Sequence, residues 1–125
     1  MIVLANRRLG PAIELLVSPV VAEAMLRATA EAARPAAAAR WEHELVRWLE
    51  DRAGQPGPDD VIDVSEIAWT PEHFDRQRGF LVQAVRLAAE VSEHARALQL
   101  WAQMIEAHPR DSVQFGRRWT TQPRL

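Results

Sequence analysis

Apolar residues recur along this chain mostly at helical spacing, with short alternating or continuous runs at a few places. The clearest periodic stretch lies in residues 36–52. There Trp41, Leu45, Trp48 and Leu49 fall at i, i+4, i+7 and i+8, one face of a helix, while Glu42, Glu44, Arg47, Glu50 and Asp51 cover the rest. Upstream, Ser18-Pro19 carries a helix-start signature, a hydroxyl cap followed by proline at the first helical position. An alanine-rich helix over 19–34 follows, and Pro35 must interrupt it because proline lacks the N–H and clashes with the preceding turn.

The same cap chemistry appears at Thr70-Pro71-Glu72, with Trp69 before the cap and Phe74 inside the first turns, spaced as a hydrophobic staple. From there to Ala107 no further proline occurs and Gly79 is the only glycine. Phe80, Ala84, Leu87, Val91, His94, Leu98, Trp101 and Ile105 alternate by fours and threes, an a/d stripe. An unbroken helix over those 37 residues would be about 55 Å long. A domain of this size is only about 35 Å across. The pattern therefore predicts helices over 71–91 and 93–107, broken near Val91-Ser92, or else a protruding helix that needs a partner.

Short apolar runs at Met1–Ala5 and 12–17 flank a Gly-Pro signal and predict strands, although the second is short enough to open a helix instead. Val61–Trp69 is rich in β-branched residues and predicts a third strand, and 112–115 a fourth. The fold class expected is α+β, predominantly helical, with about four helices. It forms a single domain over 1–125, with a surface loop at 54–60 and a basic tail over 116–125.

Residues 78–111 carry a local resemblance. Leu81, Ala84, Val85 and Ala88, then Ala97, Trp101, Met104 and Pro109, resemble the spacing of one tetratricopeptide-repeat hairpin. Ser92 stands where that repeat favours glycine and His94 where it favours an aromatic residue. No second copy follows at the repeat's period, so the resemblance implies a helical hairpin and no more.

Composition narrows the function classes. The chain has 125 residues, 48% of them hydrophobic and 26% charged, which separates it from disordered sequences. It has no cysteine, which removes disulfides, thiolate metal sites and thiol catalysis, and makes the cytoplasm the expected compartment. The apolar start is too short for a signal peptide, and no run approaches a membrane span. All 15 basic residues are arginine. The net charge of −2 is uneven: +2 over 1–40, −8 over 41–75 and +4 over 76–125. Such a distribution suits an acidic face meeting a basic one, within one chain or between copies.

Candidate chemistry is sparse. Each histidine has an acid nearby, but only Glu90 and His94 stand four apart, and no second pair exists to complete a metal site. The serines lie outside any nucleophile elbow, and no glycine-rich phosphate loop occurs. No catalytic residue, metal or cofactor is expected. Arg110, Arg117, Arg118 and Trp119 form a basic aromatic tail that can pair with the acidic segment, meet a partner or touch nucleic acid. Phe80, Leu87, Val91, His94, Leu98, Trp101 and Ile105 form a candidate assembly stripe, or the inner face of the chain's own core. The expected function is a small non-catalytic interaction or accessory protein that self-associates or binds a partner through helical surfaces. Nucleic-acid binding through the tail is the alternative.

Overall fold

A computed structural model describes residues 1–8, 13–55, 60–88 and 93–106. Strand β1 (Ile2–Ala5) and strand β2 (Glu14–Val17) form an antiparallel pair with Val3 opposite Leu16 and Leu4 opposite Leu15. Strand β3 (Val61–Asp63) joins β1 on its other side, parallel, with Val3 opposite Val61 and Leu4 opposite Ile62, so the sheet order is β2-β1-β3. Side chains on one strand alternate between faces. Leu4 and Ile62 therefore enter the core together, while Val3, Leu16 and Val61 share the outer face. Asp60 enters β3 with φ of 55°, a left-handed conformation that aspartate tolerates better than most residues, and its carbonyl accepts from the Val3 amide at 2.8 Å.

Helix α1 (Pro19–Ala33) starts where the cap chemistry places it: the Ser18 hydroxyl accepts from the Val21 amide at 3.3 Å. It packs against three other helices: α2 (Arg40–Gly54), α3 (Pro71–Leu87) and α4 (Glu93–Glu106). Met25 and Leu26 of α1 are fully buried, and each such side chain contributes about 1.5–3 kcal/mol. The fold is a predominantly helical α+β arrangement, four helices against a small sheet.

Several boundaries differ from the periodic reading. The helix after Pro35 begins at Arg40, because Arg34–Ala36 form a single 3-10 turn and Ala37 is extended. The strand expected over 61–69 stops at Asp63, whose carboxylate turns the chain by accepting from the Ser65 amide at 3.0 Å. A 3-10 turn over Val64–Glu66 follows. Helix α3 ends at Leu87 rather than 91, and Ala88 leaves it in an extended conformation. The stretch from 71 to 106 is thus two helices, α3 and α4, packed against each other. Trp69 lies outside the core, 53% exposed, so Phe74 enters the core without a staple partner there. The expected strand over 112–115 and the tail over 116–125 lie outside the described residues.

A hydrogen-bonded polar trio is sunk into this core. Asn6, directly after β1, is fully buried and its amide donates to the Ile13 carbonyl at 3.1 Å, closing the hairpin. Its side-chain Nδ2 donates to Gln77 Oε1 of α3 at 2.7 Å. Its Oδ1 accepts from Trp101 Nε1 of α4 at 3.0 Å and from Gln77 Nε2 at 3.4 Å. Gln77 and Trp101 are equally buried, so water cannot replace any member of the trio. Asn6→Ala leaves the Gln77 amide and the Trp101 indole N–H without their partner. The expected loss is about 3 kcal/mol, read as a lower urea midpoint at unchanged slope.

Candidate functional site

Helix α3 carries Arg76, Gly79, Phe80, Gln83 and Leu87 at spacings of three and four, so they share a stripe along one side. That stripe faces Ala32, Pro35 and Ala36 at the end of α1, and the two walls enclose an open groove of about 410 Å³. Phe80 forms its buried floor, whereas Leu87 stands 65% exposed at one end. A Cβ placed on Gly79 would meet nothing within 4 Å, so this glycine leaves the groove open and no packing contact requires it. The Pro35 break that ends α1 also shapes the opposite wall, since the 3-10 turn swings Pro35 and Ala36 toward α3.

Arg76 locks the other end. Its Nε pairs with Glu42 Oε2 of α2, its Nη2 donates to the Ala36 carbonyl at 3.0 Å, and its guanidinium lies 5.0 Å from the Phe80 ring centroid. Glu42 is itself buried, at 3% exposure. Its Oε1 accepts from the Ala38 and Ala39 amides at 2.8 and 2.9 Å, reaching back from the third position of α2 to the N-cap residue and the one before it. Burial by itself pushes this carboxyl up, but the Arg76 hydrogen bond and the two amides outweigh it and lower it from 4.5 to about 2. Three elements thus meet at one ion pair beside the groove.

Beyond Glu42 lies an aromatic cluster. His73 sits at the third position of α3 and completes its cap: Nδ1 accepts from the Thr70 amide at 3.4 Å and the Trp69 amide at 3.2 Å, while Thr70 Oγ1 accepts from the His73 amide at 3.2 Å. Its ring stacks on Trp41 at 4.0 Å between centroids and meets Trp69 edge-on at 5.9 Å. Arg8 reaches over the outer side of Trp69, 5.7 Å from its ring. Burial holds the imidazole below its ordinary value, against the pull of the Glu72 and Glu42 carboxylates.

The residues singled out in the sequence distribute as follows. Phe80, Leu98, Trp101 and Ile105 are buried in the chain's own core, His94 is half-buried, and Leu87 borders the groove. Val91, Glu90, Arg110, Arg117, Arg118 and Trp119 lie outside the described residues. Trp41 and Trp48 are partly buried and pack against the core. Among the described residues no group of three or more His, Cys, Asp or Glu side chains converges as a metal site, and no helix is long and apolar enough to cross a membrane. Among the described residues the acidic middle segment meets its basic flanks at three ion pairs, Glu42 with Arg76, Glu50 with Arg34 and Glu44 with Arg40. Sequence reasoning did not find the Glu42–Arg76 pair or the His73 cap. Gly79, alone in a helical stretch, was the one visible signal of the groove.

Compared with protein-family models, curated proteins and solved structures, the chain matches none.

Glu42 makes the site acid-sensitive in a defined window. A carboxyl held lower in the folded state than in the unfolded chain stabilises the fold fully above the unfolded value. That contribution is lost as pH falls from 4.5 toward about 2 and is on the order of 3 kcal/mol. Urea unfolding at pH 7 and pH 3 should show the loss, and Glu42→Gln should remove most of the difference while lowering stability at pH 7.

Proposed function

We propose that the protein is a small non-catalytic interaction domain that associates with a second copy of itself through the α1–α3 groove. The groove carries the proposal: it has an apolar floor, an exposed leucine at its end, and a glycine that leaves room for an incoming side chain. A monomer gains nothing by keeping Leu87 in water, whereas an interface buries it. Charge favours a second copy as the occupant. Arg86 borders the groove stripe on α3, while α2 presents Asp51 to solvent, so a basic residue beside the groove and an acidic one on α2 are available on every copy. A cysteine-free chain suits work in the reducing cytoplasm.

Light scattering on the protein eluting from a sizing column tests this. The wild type is expected as a dimer whose dissociation rises with salt, and Leu87→Glu as a monomer. Gly79→Leu separates loss of binding from loss of folding. Its Cβ meets nothing within 4 Å, its side chain projects into the groove and it removes a helix-interior glycine, so the variant should be monomeric yet more stable by about 0.5–1 kcal/mol. A wild type that stays monomeric at high micromolar concentration overturns self-association.

A further inference from the structure

We propose that His73 is a proton-operated latch on the start of α3: as a neutral imidazole it holds the Trp69 and Thr70 backbone, and on protonation it lets that segment go. The geometry defines the states. Nδ1 accepts two backbone N–H groups, so its lone pair must be free and the ring proton must sit on Nε2. A proton added at Nδ1 points at two donors, and it puts a positive charge at the positive end of a 17-residue helix. Both interactions turn repulsive together.

The ring has somewhere else to go. An imidazolium is attracted to the face of Trp41, on which it already stacks, while nothing comparable replaces its hold on the Trp69 and Thr70 amides. Protonation therefore divides the cluster, with His73 staying on Trp41 of α2 and the 69–70 segment freed. Trp69 is already half exposed, joined to the cluster by the edge of His73 and by Arg8 above it.

The charged groups around the ring set the direction. Glu72 on the same helix and Glu42 from α2 favour the proton, and Arg76 one turn along α3 neutralises much of Glu42 by pairing with it. Arg8, arriving from the β1–β2 connection, adds positive charge on the Trp69 side. Burial outweighs the carboxylates, so the folded state binds this proton more weakly than the unfolded chain. The sign follows. The latch is closed above pH 6.5, and its contribution to stability is lost as pH falls below 6.5 until the folded-state value is passed. That loss begins at a higher pH than the loss of the Glu42 contribution, which starts near 4.5.

Nuclear magnetic resonance on the intact protein tests the latch. At pH 8 the His73 imidazole should carry its proton on Nε2. As pH falls it should titrate with a midpoint below 6.5. Across that titration the Trp69 and Thr70 amides should lose about tenfold in exchange protection, corrected for intrinsic pH dependence, while amides in the middle of α1 keep theirs. His73→Gln places the usual capping-box acceptor at the same position without a titrating group, so it should keep the two amides protected at both ends of the range. A proton on Nδ1 at pH 8, unchanged Trp69 and Thr70 protection through the titration, or the same acid-induced loss in His73→Gln would each overturn the proposal. The wild-type measurements decide it even where the variant folds poorly.

Discussion

The arrangement of helices on the sheet depends on the buried Asn6 side chain. A strand and two helices converge on it, from positions 71 and 95 residues further along the chain. Apolar packing is tolerant of small slides, because one methyl contact replaces another at little cost. A hydrogen-bonded trio is not tolerant: displacing α3 or α4 by a fraction of a turn leaves buried donors unpaired. Asn6 therefore specifies where the α3–α4 hairpin sits on the β1–β2 hairpin, in a core built mainly from aliphatic residues with Met25, Phe74 and Phe80 among them. The same residue closes the strand pair through its own amide, so strand register and helix placement are coupled at one position.

A second polar cluster does for α2 what Asn6 does for α3 and α4. The apolar contact between α1 and α2 is extensive, but the start of α2 has no side-chain cap of its own, and Glu42 supplies one from inside the helix. Arg76 then ties that carboxylate to α3 and to the 3-10 turn at Ala36. Through Arg76 the two walls of the groove are tied together at one end. His73, one turn before Arg76, extends the same polar seam to the loop that enters α3. The proposed interaction surface and the proposed latch therefore sit on one helix, separated by the ion pair.

The starts of α1 and α3 were legible from residues alone, because their caps are local. Helix α2, by contrast, begins at Arg40 rather than 36, behind a 3-10 turn and an alanine that cannot cap. Ser18-Pro19 and Thr70-Pro71 each satisfy their own orphan amides within three residues, and no distant partner can change that chemistry. Helix ends were less legible. Leu87 and Ala88 differ little in propensity from the residues before them, and the exit at Ala88 follows from packing α3 against α4. The strand over 61–69 was overextended because β-branched residues suit a strand and a 3-10 turn alike until the Asp63 carboxylate chooses between them. The a/d stripe was open to two readings, an assembly seam or the inner face of the chain's own core. On two separate helices it divides, with Phe80, Leu98, Trp101 and Ile105 turned inward and Leu87 left in water.

By itself the sequence determined the fold class, the amphipathic helical stretches and the caps that start α1 and α3, while one helix or two over 71–107 stayed open. These follow from spacing along the chain, and spacing is a one-dimensional property. Tertiary structure alone decided that Asn6 would meet Gln77 and Trp101, that Glu42 would meet Arg76, and that Gly79 would open onto a groove instead of a packed neighbour. Such pairings depend on which faces of distant elements coincide after packing. An asparagine or a glutamate carries the same hydrogen-bonding capacity on a solvated surface as in a core, and only the position of its partners in space distinguishes the two.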